Sequence, residues 1–146
     1  MKTVAQLLKL KPEQHRQVHT IAPDALVLDA LRLMADKNIG ALAVAEGGRV
    51  VGVLSERDYA RKMVLQGRSS AGTPVRDIMS SRVITVDSAQ NVETCMNIMT
   101  DNHLRHLPVV DNGELLGLLS IGDLVKEAIA EQASLIQQLE QYIRGE

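Results

Sequence analysis

Gly52-Val53-Leu54-Ser55-Glu56-Arg57-Asp58 is answered about 65 residues later by Gly117-Leu118-Leu119-Ser120-Ile121-Gly122-Asp123, and the agreement extends well beyond these stretches. Upstream, Val18-His19-Thr20-Ile21 has its counterpart in Val83-Ile84-Thr85-Val86. Between them Val27 matches Val92, Met34 matches Met99, Asp36 matches Asp101, Leu42 matches Leu107, Val44 matches Val109 and Gly48 matches Gly113. The chain therefore carries one unit twice, without a gap in register. A unit this short does not bury its apolar face alone, so the copies are expected to pack on each other about a pseudo-twofold axis. Paired clefts would form along that junction.

Composition narrows the function. The 146 residues suit one compact domain built from two half-sized units. With 45% apolar and 23% charged residues, the chain reads as an ordinary globular protein. It has no Trp or Phe and only two Tyr, Tyr59 and Tyr142, so the aromatic platforms of single-stranded nucleic-acid binders are missing. A net charge of −2 argues against nucleic-acid binding as well. No apolar run approaches the roughly 18 residues of a membrane span, and no signal-peptide pattern opens the sequence. A single cysteine, Cys95, makes an intrachain disulfide impossible. The cytoplasm is the expected compartment.

The hydrophobic period switches in the same order in both copies. Short extended stretches at Thr20-Ile21 and Thr85-Val86 end at turn formers, Pro23-Asp24 and Asp87-Ser88. Val27, Ala30, Leu31 and Met34 then fall at helical spacing, as do Val92, Cys95, Met96 and Met99. Asp24 and Ser88 are the expected N-caps, and Gly40 the expected stop of the first helix. Two strands follow in each copy, 42–45 with 50–54 around Gly47-Gly48, and 107–110 with 115–119 around Asn112-Gly113. A second helix is predicted over 56–66, with Gly67 as its stop, and another from Ile121 onward. The unit reads β-α-β-β-α, twice, an α/β (α+β) class of fold.

The expected organisation is an N-terminal linker helix over 1–17, a first repeat over 18–67, a loop and short helix over 68–82, a second repeat over 83–127 and a helical extension over 128–146. Val75-Arg76-Asp77-Ile78-Met79 resembles Val4-Ala5-Gln6-Leu7-Leu8, as though each were a short helix leading into its own repeat. On the last helix Val125, Ile129, Ile136, Leu139 and Ile143 alternate at 4- and 3-residue steps, with Gln132 interrupting the row. That narrow seam suits either packing on its own domain or a dimer contact.

Two such units, each closing on Gly-x-x-Ser-x-x-Asp, resemble the cystathionine-β-synthase-type (CBS) domain pair, or Bateman module. The opening Thr-hydrophobic motif stands at Thr20-Ile21 and Thr85-Val86, and His103-Leu104-Arg105-His106-Leu107-Pro108-Val109-Val110 is similar to the family's stretch before the hairpin. The likeness covers residues 18 to 127. It implies a regulatory, non-catalytic module that binds an adenosine-containing ligand between its repeats. The implied ligands are AMP, ADP or ATP, with NAD(H) or S-adenosylmethionine as further members of the class. A homodimer and an unidentified regulated protein partner are implied too. The rival reading is a ligand-independent dimeric interaction module; an independent enzyme is the least supported.

Each motif has a local chemistry. Ser55 with Asp58, and Ser120 with Asp123, suit capping of the helices they open. A helix start beside a cleft also presents N–H groups to phosphate. A carboxylate there accepts from a ribose diol but repels phosphate, so Asp58 and Asp123 are assigned to the sugar, and hydroxyls, amides and cations to the phosphate. Arg105, flanked by His103 and His106, is the candidate anion clamp. The first-copy counterparts Asn38, Gly40 and Ala41 carry no charge, so the clefts should differ. Arg57 lies inside its motif where the second copy has Gly122, while Arg61 and Lys62 suit a solvated face. Adenine would rest among Ile21, Leu42, Val86, Leu107 and Pro108. Thr20, Gly40, Ala41, Thr85 and Ile121 complete the candidate set. His103-x-x-His106 is too sparse for a metal, Cys95 suits an apolar filler, and Ser120 has no base to make it a nucleophile.

Overall fold

The structure, a computed structural model, describes residues 2–11 and 17–145. Helix α1 (Val4–Leu10) precedes the first repeat, which comprises β1 (Thr20–Ile21), α2 (Val27–Lys37), β2 (Ala41–Glu46), β3 (Arg49–Ser55) and α3 (Glu56–Tyr59). A π-helical turn, Ala60–Val64, continues α3, and a 3-10 turn, Val75–Asp77, lies between the repeats. The second repeat contains α4 (Val92–Asn102), β4 (His106–Asp111), β5 (Glu114–Ser120) and α5 (Ile121–Arg144). Of the linker helix expected over 1–17, α1 forms the described part; residues 1 and 12–16 lie outside the described residues. No helix among the described residues is long and apolar enough to cross a membrane.

The repeat extends to the hydrogen-bond register. Strand β1 runs parallel to β2 with Ile21 opposite Val44, and Val86 bridges Val109 in the same sense. In the second copy this pairing is a single bridge, made by Val86 N–H to Pro108 O (3.0 Å) and Val110 N–H to Val86 O (2.9 Å). The strand expected at Thr85-Val86 is reduced to that one residue. Both hairpins bulge at the same place: Val44 opposes Gly52 but Ala45 opposes Val50, and Val109 opposes Gly117 but Val110 opposes Leu115. Their turns use positive φ at Gly47-Gly48 and Asn112-Gly113, the conformation that two-residue hairpins require.

Helix ends depart from expectation. Leu26 occupies the N-cap of α2 without a side-chain bond, and Asn91, not Ser88, caps α4 by accepting from Thr94 N–H at 2.8 Å. Asp24 caps nothing; Ser88 instead donates to the Asp111 carboxylate. The helices stop not at a glycine but at left-handed Asn38 (φ 54°) and His103 (φ 55°), whose N–H groups turn back to the last-turn carbonyls. Gly67, also left-handed, follows the π-helical turn closely.

Further backbone partners at both helix starts come from the linkers, which cross over. Val4 N–H bonds Gln90 O, Ala5 N–H bonds Ser88 O and Lys2 O accepts from Val92 N–H, all in the second repeat. Val75 N–H bonds Ala25 O, Arg76 N–H bonds Pro23 O and Thr73 O accepts from Val27 N–H, all in the first. Neither segment leads into its own repeat as expected; each completes the other one. Val4 and Leu7 are buried with Val92, Met99 and Leu124, whereas Val75 and Ile78 are buried with Val27, Met34 and Met63. Lys2 adds an ion pair at 2.7 Å to Glu127, a carboxylate otherwise buried in α5.

Two glycines admit these linkers. A Cβ on Gly52 would lie 2.6 Å from Met79 Sδ and 2.9 Å from Ser80 O, and on Gly117 2.8 Å from Leu8 Cδ2. Ser80 is held by reciprocal backbone bonds to Val53, so it has no room to retreat. Gly52→Ala is therefore expected to destabilise by about 1–3 kcal/mol, and Gly117→Ala by less because a leucine tip can turn away. Urea unfolding of both variants checks the order; equal losses would contradict it.

Candidate functional site

Both Ser-x-x-Asp motifs close as reciprocal capping boxes. Asp58 N–H donates to Ser55 Oγ (3.2 Å) while Ser55 N–H donates to Asp58 Oδ2 (3.0 Å). Asp123 N–H donates to Ser120 Oγ (3.1 Å) and Ser120 N–H to Asp123 Oδ2 (2.9 Å). These bonds start α3 and α5 where the strands end, and so fix each carboxylate at the junction of the repeats.

One cleft of about 330 Å3 opens at that junction. Asn38, Ile39, Gly40 and Ala41 line it from the first repeat, beside Gln17, Val18 and His19. His106, Gly117, Leu118, Ser120 and Asp123 line it from the second, and Leu8 and Lys11 from the first linker. Lys11 Nζ lies 3.1 Å from Asp123 Oδ2 and donates to Leu118 O at 2.9 Å. The cleft thus offers a hydroxyl, a carboxylate and an ammonium on one wall, facing the backbone of Gly40-Ala41.

Of the residues singled out in the sequence, the structure brings Gly40, Ala41, His106, Ser120 and Asp123 to this cleft. Ser55, Arg57, Asp58, His103 and Arg105 do not line it. Leu42, Val86, Leu107 and Pro108 are buried in the sheets, and Ile21 packs on the first core. Thr20, Thr85 and Ile121 are exposed and do not line the cleft. Cys95 is fully buried, and burial followed by the charge of Asp87 raises its thiol pKa.

Lys11, Gln17 and His19 are cleft residues outside the candidate set, and Asn38, expected only as the uncharged counterpart of His103, lines the cleft with them. Lys11 carried a signal: the linker match runs on from Leu8 and Met79 to Lys11 and Arg82, a cation in both. His106 holds a special place. Burial lowers its pKa first of all; Asp58 and Asp123 pull it up, while Lys11 and Arg105 push it down. One imidazole therefore senses the carboxylates of both capping boxes.

The architecture has known counterparts. A family model described as the CBS domain matches residues 14–65 and 75–130. The CBS domain-containing protein CBSX3, mitochondrial, of Arabidopsis thaliana is 42% identical over 127 residues, 84% of this chain. The chain spans only 62% of that relative's length. A solved CBS-domain protein from Burkholderia ambifaria has a TM-score of 0.81 and 52% identity, over 90% of this chain and 96% of that one. The CBS domain pair of protein MJ0100, crystallised with 5′-methylthioadenosine and S-adenosyl-L-methionine, matches with a TM-score of 0.75 at 22% identity, over 90% of this chain and 98% of that one. At that identity the likeness is one of fold. With two matched domains, a shared register and crossed linkers, the chain belongs to the CBS-domain family.

Proposed function

We propose that this chain is a regulatory module that binds an adenosine-containing ligand in the cleft between its repeats and thereby alters what a partner protein meets. AMP, ADP or ATP is the leading class, with NAD(H) and S-adenosylmethionine as alternatives. The observation that carries the reading is the Lys11–Asp123 pair beside the Ser120 cap, facing Gly40-Ala41 across a cleft of about 330 Å3. Small-molecule sites span roughly 300–1,000 Å3. In this reading Asp123 accepts from a ribose diol, and Lys11, His106 and the Ser120 hydroxyl meet the phosphate. The ligands of MJ0100 support the adenosine class. Regulation follows if the ligand prefers one arrangement of the repeats or subunits over another. Ser120 Oγ serves as a cap, which favours binding over nucleophilic chemistry. The cytoplasm is the proposed compartment; the mitochondrial relative makes an organelle the alternative.

A second reading rests on α5. From Val125 to Ile143 its apolar seam is exposed: Ile129 is 62%, Ile136 57% and Leu139 55% accessible. Packing on its own domain, one of the two expectations for this seam, does not occur. The exposed row suits a homodimer, and in the rival function that dimer alone docks the partner without a ligand.

Three outcomes test these readings. Isothermal titration with AMP, ADP, ATP, NAD(H) and S-adenosylmethionine should give saturable heat with at least one, weakened on the order of tenfold in Asp123→Asn; silence from all five refutes the ligand reading. In Ile136→Asp, sedimentation should give monomer where the parent chain is a dimer; a monomeric parent removes the homodimer. The third concerns His106, whose folded pKa lies below its unfolded value near 6.5. Its contribution to stability is fully present above that pH and is lost as pH falls toward the folded value. His106→Ala should flatten the decline in melting temperature between about pH 7 and pH 5. A bound phosphate would favour the imidazolium, so ligand binding should take up a proton and tighten on acidification.

A further inference from the structure

The second helix of the first repeat ends at its π-helical turn, with left-handed Gly67 close behind, but its counterpart in the second repeat does not stop there. Helix α5 continues from Ile129, which matches Val64, to Arg144. Within α5 the buried residues are Leu124 and Glu127, and residues 132–145 are all exposed. The extension adds nothing to the core, and the first repeat has no such segment.

Its apolar residues are in strict heptad order. Ile129, Ile136 and Ile143 recur every seven residues on one row, and Val125, Gln132 and Leu139 do so on the row beside it. Isoleucine on the first row with leucine on the second favours two parallel strands. The seam opens at Val125, two residues past Asp123 and already 42% accessible, so it starts on the surface of the domain and runs off it.

Gln132 selects what covers the seam. It is the polar residue of the row, and a purely apolar partner would bury its amide unbonded. A second copy running parallel brings its own Gln132 to the same level by symmetry, and each amide can then donate to the other. An antiparallel copy with its layers in step sets Gln132 against the partner's Ile136, twice over. What that arrangement offers in return is Lys126 against the partner's Glu140. Both are exposed, and an exposed ion pair contributes less than an unbonded buried amide costs. The parallel arrangement opposes no like charges: Leu135 lies along the stem of the partner's Glu140, and Ala128 beside the partner's Ala133.

We propose that the α5 extension joins two copies of this chain in a parallel, in-register, two-stranded coiled coil from Val125 to Ile143, with Gln132 paired across its axis. The proposal rests on the homodimer reading above and adds to it the face, direction and register of pairing. Because α5 begins at the Ser120–Asp123 box that lines the cleft, the clefts of both copies stand at the base of one coil.

The test is disulfide trapping in the full chain beside sedimentation of the parent. Cys95 is buried, so an introduced surface thiol is the reactive one. Under a glutathione redox buffer Leu139→Cys should link to its own twin on the order of tenfold faster than Gln141→Cys, which lies on the opposite face. In an antiparallel coil the two copies of residue 139 stand about 15 Å apart along the axis. A disulfide would then form instead between Ile129→Cys and Leu139→Cys in an equimolar mixture. A dimeric parent with the 139–139 link is the expected result. A dimer that gives the mixed 129–139 link, or links no faster than Gln141→Cys, overturns the parallel coil and leaves the homodimer standing on another arrangement or face. A trimer or tetramer overturns the two-stranded coil, and a monomeric parent removes coil and homodimer together.

Discussion

The crossing of the linkers is the constraint on which the rest depends. Helices α2 and α4 each begin with unsatisfied N–H groups, and the carbonyls that meet Val27 and Val92 come from Thr73 and Lys2. The same segments press Val75 and Ile78 into one core and Val4 and Leu7 into the other. Neither repeat is complete without a piece of chain that precedes its twin. The repeats are thereby held at one separation, and a cleft of usable depth exists only because that separation is set by buried valines and backbone bonds.

Gly52 and Gly117 show how a motif residue serves packing before function. Each stands where a linker passes too close for a Cβ, at Met79-Ser80 in one case and Leu8 in the other. The serine and aspartate that follow three and six residues later close their own helix starts. Gly-x-x-Ser-x-x-Asp is thus satisfied by local and packing demands alone. That same arrangement delivers a carboxylate, a hydroxyl and the start of a helix to the junction of the repeats, and function uses what the fold already requires.

Pseudo-symmetry makes departures from symmetry informative. Backbone bonds, bulges and left-handed caps recur at one offset within the repeats, and the linkers at another, so a difference at paired positions reflects the side chains themselves. His106, whose twin is Ala41, is half-buried and feels the charges of both Asp58 and Asp123. Arg57 and Arg105, whose twins are Gly122 and Gly40, are exposed charges that the opposite copy lacks.

Much of this was legible in the residues. The repeat, the element order, the hairpin turns and the burial of Met34, Cys95 and Met99 all follow from periodicity and turn chemistry, which act over a few neighbours. The helix starts depart from the sequence expectation for two reasons. At α2 no side chain caps, and the carbonyl of Thr73, distant in sequence, meets Val27 N–H. At α4 the cap is local but falls to Asn91, because Ser88 is bonded to Asp111. The likeness of the two linkers is plain in the sequence, but that each crosses to the repeat it does not precede is not, since similarity of sequence says nothing about which side a segment crosses to. Ser120 and Asp123 were found by their spacing, yet Lys11 and His19 became their neighbours only when one repeat was laid against the other. Sequence alone settled the unit and its duplication, because the forces involved are short-range along the chain; which residues share a cleft was decided by tertiary packing, because that depends on burial between segments far apart in it.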